Sequence, residues 1–160
     1  MSWERNLKRS SDKMKINFSG LFELKAPMEK VFDFISDPKT IAPLVPDIEK
    51  LEIIDDKNFK GKLKIGIGPL KGSFEGKGVI TELRRPNHGA LILEGSSIVG
   101  KVKVIVNIDL SENGGVTQLK WNADAEMSGL ITGMGESMLK SINQTETKKI
   151  FEKVKEKLEK

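Results

Sequence analysis

GIGPLKGSFEGKG, residues 66 to 78, places five glycines in thirteen positions. Its leading GxGxxxG invites comparison with a phosphate-cradling loop. Such a loop needs its glycines in the turn from a strand to the N-terminus of a helix, where backbone N–H groups and the helix dipole meet the anion. Here the next residues are VITEL, 79 to 83, a second strand pattern, so that context is missing. The geometric reading is that Gly66, Gly68 and Gly72 flank a hairpin around Pro69, whereas Gly76 and Gly78 lie inside a strand. Glycine inside a strand marks a bulge, a sharp bend or a close approach to the backbone. A sheet that curls round a helix needs such bends, and each side chain missing from its concave face leaves volume.

On both sides of this stretch the chain reads as strand. LEIID (51 to 55), FKGKLKIGIG (59 to 68), SFEGKGVITEL (73 to 83), ALILEGSS (90 to 97), KVKVIVNIDL (101 to 110) and TQLKWNADAEM (117 to 127) are β-rich runs. DDKN, PLK, RPNHG and ENGG between them supply turn chemistry, so consecutive strands form hairpins and the sheet is antiparallel. Upstream, Met14, Ile16, Phe18, Phe22 and Leu24 alternate as in a half-buried strand. Ala26-Pro27 ends it and opens a short amphipathic helix with Val31, Phe32, Phe34 and Ile35 on its buried side, which Asp37-Pro38 stops. Ile41, Leu44 and Val45 read as a second helical turn closed by Pro46. From Gly129 to Lys160 the period changes. Ile131, Met134, Met138, Ile142, Ile150 or Phe151, Val154 and Leu158 predict one long C-terminal helix packed on the sheet. The expectation is an α+β domain over residues 14–160, a curved antiparallel sheet of about seven strands round a long C-terminal helix, with two short helices after the first strand. Residues 1–13 read as a loosely ordered arm.

The 160 residues suffice for one domain with a sizeable core. No apolar run approaches a membrane span and the N-terminus lacks a secretory signal, which predicts a cytoplasmic protein. The absence of cysteine excludes disulfides, thiolate metal sites and a cysteine nucleophile together. Lys+Arg 27 against Asp+Glu 23 gives +4, too dispersed to indicate a nucleic-acid partner. Abundant Lys and Glu without Cys suit a thermophile.

The last strand also points to a cavity. Alternation turns Leu119, Trp121, Ala123, Ala125 and Met127 inward, and two alanines stand where a filled core would want larger residues. Candidate ligand-binding residues are Phe34, Ile41, Leu44 and Val45 from the first helices, Phe74 and Leu93 from the sheet, Trp121 and Met127 from the last strand, and Ile131, Met134 and Met138 from the long helix. Each type is equally ordinary core. Their coincidence with missing side chains at Gly76, Gly78, Ala123 and Ala125 is what suggests a cavity with apolar walls for a lipophilic small molecule.

LKAPMEKVFDFISDPKTIAPLVPDIEKLEII, then FKGKLKIGIGPLKGSFEGKGVITEL and WNADAEMSGLITGMGESML, resemble the CoxG-like family, named for a component of carbon monoxide dehydrogenase, within the START-like (SRPBCC) helix-grip superfamily. The resemblance runs from about Met14 to about Lys153. Its more characteristic parts are GIGPLKGSFEGK and the small-residue SGLITGMG. It implies a helix-grip fold with an apolar cavity between sheet and long helix, and a non-catalytic accessory role for molybdenum-containing dehydrogenases. That role is membrane association at the inner face, enzyme recruitment, or carriage of a lipophilic electron acceptor such as a quinone. Pro46-Asp47 stands where family members often have Pro-Gly, and the C-terminal membrane anchor of some members is absent.

Catalysis finds little raw material. His88 is the only histidine and reads as an exposed turn residue; no cysteine or tyrosine supplements it, leaving almost no raw material for a metal or nucleophilic site. A lone buried carboxylate could still act as a base, as in START-like cyclases, with Asp33, Asp37 and Glu94 the candidates to check. The expectation is therefore a non-enzymatic carrier without cofactor. The alternatives are a START-like cyclase or hydrolase on a lipophilic substrate, and a recruitment adaptor with no ligand. Lys60, Lys62 and Lys64 share one strand face, where they could meet anionic headgroups or an acidic partner or simply be solvated. The helix end KKIFEKVKEKLEK mixes charge signs, as an ordinary exposed face does.

Overall fold

The computed structural model describes residues 13–45, 47–67 and 70–159. The arm expected at residues 1–13 lies outside them except for Lys13, as do Pro46 and residues 68–69, which include the Pro69 of the expected hairpin. Strand β1 (Met14–Leu24) buries Ile16, Phe18 and Leu24 on one face and exposes the residues between, as its alternation requires. Pro27 keeps an extended ψ of 148° and the chain enters helix α1 (Met28–Ile35) directly after it, burying Val31 and Phe32. Asp37 caps the one-turn helix α2 (Pro38–Ile41) by accepting the Lys39 N–H at 2.9 Å. A 3₁₀ turn, Ala42–Leu44, follows.

Strands β2 (Ile48–Ile53), β3 (Asn58–Ile67), β4 (Leu70–Arg84), β5 (His88–Ser97), β6 (Gly100–Asn113) and β7 (Val116–Ser128) are joined as successive antiparallel hairpins. Among the described residues the sheet order is β1-β7-β6-β5-β4-β3-β2. β1 and β2 therefore form opposite edges, and the segment between them carries α1 and α2 across the inner face. Bulges at Ile48/Lys50 and Ile80/Glu82 add to the curl.

The C-terminal segment departs from the single helix expected over 129–160. A 3₁₀ turn, Leu130–Met134, comes first, Gly135 breaks it at φ 81°, and helix α3 runs from Glu136 to Leu158. That positive φ suits glycine and resets the helical phase. Leu139, not Met138, consequently faces inward, and Met138 is 53% exposed. Further along, Val154 and Leu158 are buried and Phe151 stacks on Phe22 of β1 with ring centroids 4.2 Å apart. The buried core is thus gathered on β1, β7 and β6 beneath α1 and α3. Thr117, fully buried, ties β7 to the β1–α1 corner by donating its hydroxyl hydrogen to the Ala26 carbonyl at 2.7 Å.

Candidate functional site

The other half of the inner face is hollow. An apolar cavity of about 520 Å³ lies between strands β2 to β6 and the segment carrying α1, α2 and the first 3₁₀ turn, with Ile131 at one side. Its floor follows from strand register. Gly61 of β3 faces Gly76 of β4, which faces Gly95 of β5. These three glycines form one inward-pointing row without side chains. A Cβ at Gly61 would stand 2.7 Å from the Lys50 carbonyl oxygen, and one at Gly76 2.8 Å from that of Glu94. The backbones approach too closely there for any other residue, so the row supplies the bend as well as the space.

Five of the eleven candidate residues border this cavity: Ile41, Val45, Phe74, Leu93 and Ile131. The other six do not. Leu44, Trp121 and Met127 are buried in the core, and Phe34 and Met134 pack half-buried against it. Met138 points out. The long helix was expected to form a wall, yet the cavity-lining residues belong to the sheet, the short helices and the 3₁₀ turns. Of the four positions whose missing side chains suggested the space, Gly76 alone opens onto it. The Phe59 ring occupies the place beside Gly78. Ala123 and Ala125 lie directly opposite Phe18 and Ile16, which fill the room they leave.

Phe59, Leu63, Ile80, Val102 and Val104 line the cavity as well and were missed. Their signal is the same alternation that marked β7, with Phe59 and Leu63 interleaved among Lys60, Lys62 and Lys64.

Polar groups lie at the margins. Ser36 follows α1 on the cavity side. His88 is not in a turn but opens β5, with its side chain 21% exposed. Its Nδ1 lies 2.8 Å from Asp109 Oδ1 and its Nε2 3.0 Å from Glu82 Oε2. The three carboxylates considered as bases have other engagements. Asp33 receives a forked pair of hydrogen bonds from Arg85 (2.9 and 3.0 Å), Asp37 caps α2, and Glu94 pairs with Lys77 at 3.9 Å. Those hydrogen bonds, assisted by the guanidinium charge, hold the Asp33 carboxyl below its ordinary value and raise Arg85. Asp55 is likewise lowered, first by the Asn58 side chain and then by the backbone N–H groups of Lys57 and Asn58, within the turn between β2 and β3, and it is not among the cavity-lining residues. Among the described residues no group of three His, Cys, Asp or Glu could hold a metal ion. Nor is any of their helices long and apolar enough to cross a membrane.

The family model for CoxG, a carbon monoxide dehydrogenase component, matches residues 20–159. The chain belongs to the CoxG family. Its fold is that of the START superfamily. A conserved protein of Geobacillus kaustophilus superposes with a TM-score of 0.84 at 28% identity, covering 89% of this chain and 95% of its own. A START superfamily protein of Mycobacterium smegmatis gives 0.71 at 14% identity, covering 89% and 97%. A protein of Thermus thermophilus gives 0.67 at 14% identity, again covering 89% and 97%. No curated protein matches in sequence. CoxG membership and the START-like fold together suggest a ligand-binding accessory protein.

Proposed function

We propose that this CoxG-family chain is a non-enzymatic carrier of a lipophilic small molecule, a lipid or a quinone, that serves a molybdenum-containing dehydrogenase. In this reading it works in the cytoplasm and at the inner face of the membrane, where such an acceptor is exchanged. The observation that carries the reading is the apolar cavity of about 520 Å³ over the glycine row, a volume within the usual range of small-molecule sites. Its inner walls offer Phe59, Phe74, Leu93 and Val104 to a ligand, while the three carboxylates considered as bases, of which only Glu94 borders it, are engaged with Arg85, Lys77 and a backbone N–H group. That environment suits retention of an apolar molecule better than proton transfer to one.

The test is native mass spectrometry with organic extraction of protein purified gently from a host that makes isoprenoid quinones. A lipophile should co-purify with the native chain and be lost from Val104→Trp, which fills the cavity from its sheet wall. No bound species, together with no quinone-induced rise in melting temperature, would overturn the carrier reading.

A further inference from the structure

The outer face of the sheet carries a second hollow, a groove of about 1060 Å³ that crosses the strands from β2 to β7 on the reverse of the glycine row. Gly61, Gly76 and Gly95 border both hollows, so a single layer of backbone separates them. Two rows of outward side chains form the groove's walls. Strand register defines one as Glu52, Lys60, Lys77, Glu94, Lys103 and Glu126. This wall largely neutralises itself: Lys60 pairs with Glu52 at 3.4 Å, Lys77 with Glu94 at 3.9 Å, and Lys13 reaches Glu126 at 3.4 Å. The other wall is Lys50, Lys62, Glu75, Ser96, Lys101 and Ser128. It holds three lysines against one glutamate, and among the described residues none of the three forms an ion pair. Lys50 and Lys62 moreover stand directly opposite each other, an arrangement that opposes sheet pairing.

We propose that this groove docks an acidic segment of a partner protein, its carboxylates set against Lys50, Lys62 and Lys101. Adjacent strands lie about 4.8 Å apart, so the Lys62 and Lys101 positions, three strands removed, are roughly 14 Å apart. An extended peptide covers that distance in about four residues, which matches acidic side chains at i and i+4 on one face. A nucleic acid or an anionic bilayer fits less well. Both present uninterrupted negative charge, which Glu75, without an ion pair among the described residues and set between Lys62 and Ser96, repels. A peptide can place carboxylates at the lysines alone and neutral or basic residues at the glutamates. The proposal stands independently of what the apolar cavity holds.

The experiment uses the full chain and fluorescein-labelled EAAAEAAAE as the binding peptide, followed by anisotropy at 50 mM salt. Binding that weakens steeply between 50 and 300 mM salt is expected. The triple variant Lys50→Glu, Lys62→Glu, Lys101→Glu should bind at least tenfold more weakly, while Lys148→Glu, Lys153→Glu, Lys155→Glu on α3 should bind within twofold of the native chain. Equal losses from both variants would overturn the proposal, since attraction would then be to net charge alone. So would tighter binding, through the same three lysines, of a single-stranded oligonucleotide or of phosphatidylglycerol vesicles. NMR titration of the unmodified chain gives a readout that needs no variant. Shifts confined to the outward residues that line the groove, Glu75 of β4 and Ser96 of β5 included, support it, and shifts elsewhere or none at saturating peptide refute it.

Discussion

The inner face of one sheet is filled at one edge and hollow toward the other, although both halves contain small residues. Under β1 and β7, Ala123 and Ala125 face Phe18 and Ile16, and Gly20 faces Trp121, whose indole covers it. Each small residue there is matched by a large one on the neighbouring strand. Under β3, β4 and β5 the small residues face one another, and at Gly61, Gly76 and Gly95 no side chain comes closer to the Cβ position than Phe74 does to that of Gly95, at 3.5 Å. Gly78, one row away, is covered by Phe59 and behaves like the filled half. Along the row of Gly61, Gly76 and Gly95 a small inward residue makes space because its cross-strand partner is small too.

Truncation should separate the halves most strongly. Trp121→Ala, on the filled side and only 8% exposed in the native chain, should cost about 3–5 kcal/mol by denaturant unfolding. Leu93→Ala, on the cavity wall, should lose roughly half of that or less, because much of its side chain already faces the cavity. Equal losses would break the division. Enlargement sharpens it by the reverse route. Ala123→Phe meets Phe18 and should destabilise by about 1–3 kcal/mol, whereas Val104→Phe grows into the cavity and should cost less than about 1 kcal/mol.

The smallest effect concerns the Asp33–Arg85 fork, which pins α1 to the turn between β4 and β5 at the edge of the hollow half. Because the folded-state pKa of Asp33 lies below 3.8, the pair contributes at neutral pH and above, and its contribution disappears as pH falls through that lowered value. In Arg85→Gln the Asp33 carboxyl should titrate at higher pH than in the native chain, followed by carboxyl carbon NMR. An unchanged midpoint would show that the fork does not hold α1.

Alternation within single strands was enough to read the sheet, its hairpins and the inward row from Leu119 to Met127, because each residue's facing depends only on its neighbours in the chain. The CoxG resemblance was legible for the same reason, in contiguous motifs. The filling of the cavity was not. Whether Ala123 or Gly76 opens a space depends on which residue stands opposite, and Phe18 is separated from Ala123 by most of the chain. The turn at Gly135 is a second example. One residue at positive φ rotated everything after it, exchanging Met138 for Leu139 on the inner face. His88 reads as loop from RRPNHG alone, yet pairing with Asp109 draws it into β5.

The edge position of β1 also sets an order of events. During synthesis β1 emerges first, but its partner β7 follows only after the rest of the sheet; Met14 must wait for Met127. At about 5–20 residues per second the delay is roughly 6–23 s. Throughout it the strand presents Lys15, Asn17, Ser19 and Glu23 between its apolar residues, an alternation that discourages the unpaired edge from recruiting another chain. The hollow side, built from consecutive hairpins, can assemble in that interval, and the densest part of the molecule closes last.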